Sequence, residues 1–104
     1  MRIRSQSVHF TADQKLTDYL ENKLNQLEKY FDHIIDVSVI LKLENSGQVR
    51  DKLVEVNVKV PGQTFVAHSS KKSFESSIDE VHKTLKRQIR KHKEKLIESK
   101  RHVE

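Results

Sequence analysis

The chain has 104 residues and no cysteine, so it is of ordinary single-domain size and relies on its apolar core rather than on disulfides. It contains no apolar run long enough for a signal peptide or a membrane-spanning helix, so we expect a cytoplasmic protein with no membrane partner. Residues 71–104 hold the whole formal net charge of +5, because the nine basic and nine acidic residues of 1–70 cancel, and this favours an anionic partner.

The first half of the chain predicts a strand, a helix and a second strand. Residues 1–10 are strand-like and lead into a capping box in which Thr11 and Gln14 would start the helix. Apolar residues spaced by three and four predict that this helix spans about 12–31. Alternating apolar and polar residues over 35–43 then predict a half-buried strand.

The second half predicts a loop, a hairpin and a long helix. The polar residues 44–52 predict the loop, and alternating valines over 54–60 followed by Pro61-Gly62 predict a hairpin with a return strand. Ser69-Ser70 offers caps for a helix from 71 to about 100. The apolar face of that helix would consist of Phe74, Ile78, Val81, Leu85, Ile89, His92 and Leu96.

The element order β-α-β-β-β-α predicts an α+β fold. Because each strand has one apolar face, both helices should cover the same face of a four-stranded sheet, as in double-stranded-RNA-binding domains. We expect a single domain over 1–104, with an ordered core of about 1–96 and a short tail at 97–104.

The last predicted helix carries a dense cluster of cations on its outer face. Seven basic residues fall between positions 83 and 95, where Glu94 is the only acidic residue. The helix dipole favours basic residues in the last turns but accounts for only two or three of them. A polyanion would relieve their mutual repulsion, which favours nucleic-acid binding over a merely solvated face. The seven residues are Lys83, Lys86, Arg87, Arg90, Lys91, Lys93 and Lys95.

The motifs that the sequence lacks limit which kind of nucleic acid, and which other ligands, the protein could bind. The sheet has no aromatic-rich motif for stacking of bases, and there is no helix-turn-helix or zinc finger, so we expect backbone and shape recognition of folded RNA. The six histidines lack metal-ligand spacing, and two glycines cannot form a phosphate-binding loop. We therefore expect no metal, no cofactor, no small-molecule substrate and no enzymatic activity.

Several segments together match a recognisable pattern over about residues 1–96. They are Ile78-Asp79, Leu85, Arg87-Gln88 and KHKEKL at 91–96 in the last helix, with Thr11, Lys23, LEKYF at 27–31 and VILK at 39–42 before it. This pattern resembles the ribosome hibernation promoting factors, a family also described as ribosome-associated inhibitors and sigma-54 modulation proteins.

The resemblance implies a bacterial stress or stationary-phase factor that inhibits translation and promotes ribosome hibernation. Such a protein would occupy the decoding channel of the small ribosomal subunit, on the path of mRNA and of the A- and P-site tRNAs. Its partners would be small-subunit rRNA and the whole ribosome, with a second small hibernation factor where ribosomes pair, and the protein itself would be monomeric. The RNA-binding residues carried over by position are Lys23, Lys42, Arg87, Lys91, Lys93 and Lys95, joined on charge and helical position by Lys83, Lys86 and Arg90.

The sequence departs from the family pattern at three places in the two helices. Thr84 stands where the family has a lysine, with Lys83 one position earlier, and Gln26 stands where a second lysine of the first helix is common. Ser73-Phe74-Glu75 replaces the usual Asp-Met-Tyr. The chain ends nine residues after Lys95, which by resemblance implies the short form without a separate C-terminal dimerisation domain.

Two other functions remain open from the residues alone. One is a generic double-stranded RNA-binding protein, because a sheet with two helices on one face resembles that fold class. The other is a protein-interaction module whose basic helix contacts an acidic partner. The sequence does not decide whether ribosomes would be paired into dimers or held inactive singly.

Overall fold

Four strands and two helices follow one another in the predicted order. The computed structural model describes the backbone of residues 2–46 and 49–102 and the side chains of residues 2–44 and 51–95. The elements are β1 (Arg2–Val8), α1 (Gln14–Asn25), a short 3₁₀ helix (Gln26–Lys29), β2 (Asp36–Ser46), β3 (Val49–Val60), β4 (Gln63–Lys71) and α2 (Phe74–His102).

The strands form one mixed sheet in the order β1-β2-β3-β4. β1 pairs in parallel with β2, which requires α1 to cross between them, whereas β2, β3 and β4 form antiparallel pairs. Val60 pairs with Gln63 across the predicted turn at Pro61-Gly62, where Gly62 has a φ of 80° that glycine adopts without steric cost. β1 and β4 are therefore the two edges of the described sheet.

Both helices pack on one face of the sheet, as predicted. Alternate residues of β2, β3 and β4 point into the core, and the apolar stripes of α1 and α2 cover them. The buried apolar residues of the strands are Val37, Val39, Leu41, Val54, Val56, Val58, Val60, Phe65 and Ala67. The buried apolar residues of the two helices and of the 3₁₀ helix are Leu16, Leu20, Leu24, Leu27, Phe74, Ile78, Val81, Leu85 and Ile89.

The helix starts differ from the predicted ones. Asp13, not Thr11, caps α1, and its Oδ1 accepts a hydrogen bond from the Leu16 N–H at 2.8 Å. Gln14 bonds to an aspartate one turn onward rather than back to the cap, so the predicted capping box was wrong. Ser73 caps α2, because Ser69-Ser70 is part of β4, and the helix begins at Phe74 rather than at 71.

Two predicted boundaries were also wrong in the first half of the molecule. The polar segment 44–52 is mostly strand, since β2 and β3 continue their pairing until Ser46 lies opposite Val49. Residues 47–48 lie outside the described part of the chain. The first helix ends at Asn25, and a 3₁₀ turn replaces its predicted last turns because the N–H of Tyr30 bonds to the Leu27 carbonyl three residues earlier.

The end of α2 is described only in part. Its backbone remains helical to His102, which includes most of the predicted tail 97–104. The side chain of Leu96, predicted to continue the apolar face, lies outside the described residues, as do residues 103–104.

Ser77 is a buried polar residue that joins α2 to the sheet. Its side chain is fully buried, and its Oγ accepts a hydrogen bond from the Lys71 N–H at 3.0 Å. The hydroxyl can donate to the carbonyl of Lys52 at 2.6 Å or to that of Ser73 at 3.2 Å. One hydroxyl thus satisfies backbone groups from β3 and β4 at the point where α2 begins.

The Ser77→Ala variant should lose about 1–3 kcal/mol of unfolding free energy, because it leaves buried backbone groups of β3 and β4 without a partner. Urea unfolding followed by circular dichroism measures the change. Ser76→Ala is the matched control, since Ser76 is exposed in the same helical turn and should change stability much less. Equal losses in the two variants would contradict this role of Ser77.

A polar contact holds α1 against the first half of α2. The Tyr19 hydroxyl donates to Asp79 Oδ1 at 2.5 Å, and the Lys23 Nζ lies 3.5 Å from the same oxygen. The hydrogen bond to Asp79, with a smaller contribution from desolvation, raises the pKa of Tyr19 to about 12. Because the folded state favours the protonated phenol, this contact stabilises the fold below pH 10 and is lost as the pH rises toward 12.

Alkaline titration should detect this contact directly. The chain has two tyrosines, so in a Tyr30→Phe variant the tyrosinate absorbance at 295 nm reports Tyr19 alone. We expect a midpoint near pH 12 that falls toward 10 when Asp79→Asn is added. Circular dichroism at each pH confirms that the protein remains folded. A midpoint unaffected by the Asp79 change would contradict the assigned hydrogen bond.

Candidate nucleic-acid interface

The buried stripe of α2 determines which way its cations point. Leu85 and Ile89 are completely buried against the sheet, so the opposite side of the helix faces solvent. Six of the seven predicted cations of this segment are exposed, and Lys86 is half-buried. The structure therefore brings together Lys83, Lys86, Arg87, Arg90, Lys91, Lys93 and Lys95, here called the α2 cationic surface.

The charge of this surface is not neutralised by the described acidic residues. None of its seven cations forms an ion pair with a carboxylate in the described part of the chain, where the recorded pairs involve Arg4 and Lys23 instead. Glu94 lies in the same segment and is exposed. The surface is thus available to an external anion.

Tyr30 extends the surface beyond α2 itself. The Lys86 Nζ lies 4.8 Å from the centroid of the Tyr30 ring, a cation–π contact that ties the helix to the chain after the 3₁₀ helix. A hollow of about 160 Å³ lies beside them and is also lined by Arg90 and Lys93. This contact was not predicted, because no local spacing in the sequence connects residues 56 positions apart.

Lys23 lies beside α2, but its ammonium already pairs with an aspartate of that helix. Its ammonium lies 3.5 Å from Asp79 and 5.7 Å from the Tyr19 ring centroid, and its side chain is 30% exposed. It therefore contacts the acidic first half of α2 rather than adding a free cation to the α2 cationic surface.

Lys42 lies on the other face of the sheet. Val39 and Leu41 of β2 are buried on the face that the helices cover. Because side chains alternate along a strand, the side chain of Lys42 points to the opposite face, away from both helices. The structure thus separates Lys42 from the α2 cationic surface, although sequence analysis placed them in one set.

His82 does not contribute to the positive charge at neutral pH. Partial burial lowers the pKa of its imidazole, and the nearby cations Lys23 and Lys86 lower it further. Asp79 acts in the opposite direction but is the weakest of these influences. The His82 Nε2 has no hydrogen-bond partner among the described residues.

No cluster of three or more potential metal-ligating side chains occurs among the described residues. In the same part of the chain, neither helix combines the length and apolar character that crossing a bilayer requires.

Comparison with known proteins identifies the family. The family described as Sigma 54 modulation protein / S30EA ribosomal protein matches residues 3–97. The ribosome hibernation promoting factor of Pseudomonas putida is 36% identical over 95 residues, which cover 91% of this chain and 89% of that protein. The ribosome hibernation promotion factor of Bacillus subtilis is 34% identical over 94 residues, covering 90% of this chain but 48% of that protein.

Two solved structures have the same fold as this chain. A ribosomal subunit interface protein from Coxiella burnetii superposes with a TM-score of 0.80 at 25% identity, covering 89% of this chain and 98% of that one. The N-terminal domain of Protein Y from Thermus thermophilus shows the same fold, with a TM-score of 0.76 at 24% identity and coverage of 88% and 99%. The chain therefore belongs to the sigma 54 modulation protein / S30EA ribosomal protein family, which includes the ribosome hibernation promoting factors.

Proposed function

We propose that the protein binds the small ribosomal subunit through the α2 cationic surface and inhibits translation by occupying the decoding channel. In this position it would exclude mRNA and the A- and P-site tRNAs, and idle ribosomes would enter hibernation. Family membership supports the role in ribosome hibernation. The choice of the α2 cationic surface as the binding site is an inference from the charge of this chain, and occupancy of the decoding channel is what the resemblance to the hibernation factors implies.

One observation carries the proposal. Seven cations lie within thirteen residues of a single helix, and no described carboxylate pairs with them. Clustered cations repel one another in the free protein, and a polyanion removes that repulsion while releasing its own counterions. A groove lined by rRNA phosphates is a partner of this kind.

Packing of α2 on the sheet explains why the protein should recognise the shape of an RNA rather than its base sequence. Ile78, Leu85 and Ile89 fix α2 on the sheet, so its cations are presented at fixed separations along a rigid rod. Lysine and arginine contacts to phosphates position a protein without reading bases. Arg87 and Arg90 can bind phosphate oxygens through two parallel N–H donors, which adds directional contacts to the attraction between charges.

The proposed mode needs no catalytic group and no cofactor. A folded domain lodged on the path of mRNA would block initiation by its volume alone. We propose that the protein acts as a monomer in the cytoplasm, with rRNA and the whole ribosome as its partners. Where ribosomes pair into inactive dimers, a second small factor would assist.

Charge reversal at the centre of the surface tests the proposal. The double variant Arg87→Glu with Lys91→Glu should lose salt-sensitive co-sedimentation with small subunits and intact ribosomes on sucrose gradients. Both residues are exposed, so the variant should remain folded.

The matched control reverses two exposed lysines elsewhere. Lys15→Glu with Lys59→Glu makes the same change in net charge in the first turn of α1 and in β3, and it should leave binding largely intact. Undiminished binding by the Arg87 and Lys91 variant would refute the proposed surface. Equal affinity for free duplex RNA would instead favour a generic RNA-binding protein, and nuclease-resistant capture of one acidic protein would favour an interaction module.

The salt dependence of ribosome binding should distinguish Lys91, which has no ion pair to a described carboxylate, from Lys23, which pairs with Asp79. Lys91→Ala should reduce the slope of log K against log salt for ribosome binding by about one unit, as expected when one phosphate contact is lost. Lys23→Ala should reduce it less, because Asp79 already lies 3.5 Å from the Lys23 ammonium. Binding isotherms at four or more salt concentrations measure both slopes. A larger effect at Lys23 would contradict this assignment.

A further inference from the structure

A groove of about 360 Å³ separates the edge strand β4 from the C-terminal half of α2. Residues 63–66 of β4 form one side of the groove. The α2 side is lined by Gln88, Lys91, His92 and Lys95. This volume lies at the lower end of the roughly 300–1,000 Å³ that is typical of small-ligand sites. A groove of this volume can hold a single small planar group with a charged substituent but not a segment of duplex RNA. It is called the β4–α2 groove below.

The inner side of the groove is aromatic. His92 is half-buried, and its ring makes edge-to-face contacts with Phe65 at 5.4 Å and with Phe31 at 5.6 Å between centroids. Two buried rings therefore hold the imidazole in one orientation while part of it lines the groove. A flat ring fixed in this way is a surface on which a base can stack at low entropic cost.

The strand side of the groove offers backbone hydrogen bonds. The Val66 carbonyl accepts from Gln88 Nε2 at 3.1 Å and so points away from β3 toward α2. In an antiparallel ladder the N–H and C=O of one residue point the same way, and alternate residues share that direction. The N–H groups of Thr64 and Val66 therefore lie at the open edge beside the groove, where no described strand pairs with them.

Gln88 joins the two sides of the groove. Its Nε2 donates to the Val66 carbonyl at 3.1 Å, so the amide nitrogen points toward β4. The Gln88 Oε1 is buried and does not face the groove. The α2 side of the groove is thus tied to the edge strand by a side-chain hydrogen bond.

The rim of the groove is cationic. Lys91 and Lys95 are exposed and stand one helical turn apart, so their ammonium groups can flank one phosphate. None of the described residues that line the groove is acidic. This combination of a fixed ring, edge donors and two cations matches a nucleotide, which has a flat base, acceptors on the base edge and a phosphate.

We propose that the β4–α2 groove binds one unpaired nucleotide of an RNA chain. The base would lie against the His92 ring with its edge toward β4, and its phosphate would lie between Lys91 and Lys95. A base within a duplex is stacked and paired, so only an extruded or single-stranded nucleotide can enter. The inference rests on the proposed RNA binding and adds a base contact to a surface that otherwise recognises phosphates.

Photo-crosslinking on ribosomes tests the site. Gln63→p-benzoylphenylalanine places a photoreactive group at the rim of the groove, and Gln6→p-benzoylphenylalanine places it on the opposite edge strand as a control. Both residues are exposed. Irradiation followed by reverse transcription should reveal one rRNA stop, at an unpaired nucleotide, for the Gln63 variant and not for the Gln6 variant. Added nucleoside monophosphates should not abolish it.

Each other outcome of the crosslinking overturns the inference. A stop confined to paired nucleotides, a crosslink to a ribosomal protein, or no crosslink from a protein that still sediments with ribosomes refutes the groove alone. Loss of the crosslink with nucleoside monophosphates assigns the groove to free nucleotides. Failure to sediment with ribosomes at any salt concentration refutes the proposed function and the inference together.

Substitution of the ring provides an independent readout. His92→Leu should weaken ribosome binding roughly tenfold, because loss of one aromatic stacking partner of a base has an effect of about this size. His92→Phe keeps an aromatic ring and should retain most of the affinity. His33→Leu is the matched control, because His33 also contacts the Phe31 ring but does not line the groove. Circular dichroism confirms folding of each variant. Equal affinities of the two His92 variants would refute stacking on this ring.

Discussion

The burial of one side of α2 against β3 and β4 is the constraint on which the charged surface depends. Each fully buried leucine or isoleucine contributes about 1.5–3 kcal/mol, and Ile78, Leu85 and Ile89 are all essentially inaccessible to solvent. Repulsion between exposed neighbouring cations costs at most about 1 kcal/mol per pair in water. Burial therefore outweighs repulsion, and the fold can hold seven cations on one helix face without an ion pair to any described carboxylate.

The sequence was sufficient to predict the elements that have strong periodicity. Strict alternation of valines from 54 to 60 predicted a strand whose inward side chains are all buried, and the three- and four-residue spacing in α2 predicted its core face. The order of elements along the chain and the coverage of one sheet face by both helices followed from the same patterns, whereas the order of strands within the sheet was not predicted. These patterns reflect burial, which acts on every residue of an element.

The errors concern features that single side chains or distant partners decide. Thr11 and Asp13 are both residue types that cap helices, and the hydrogen bond from the Leu16 N–H shows that Asp13 is the cap in the structure. Residues 44–52 are polar, yet pairing between β2 and β3 extends both strands into that segment. Lys23 and Lys42 carry the same charge in the sequence, but a neighbouring Asp79 and the direction of the β2 side chain give them different surroundings.

The position of α2 after all four strands has a consequence for biosynthesis. Strands β2, β3 and β4 are made first, and until residues 74–89 emerge nothing covers the apolar face of β3 and β4 that α2 occupies in the finished domain. A nascent chain therefore cannot display a rigid cationic helix, because the same residues that orient it also complete the core. The α2 cationic surface can therefore form only after residues 74–89 have been translated and have packed on the sheet.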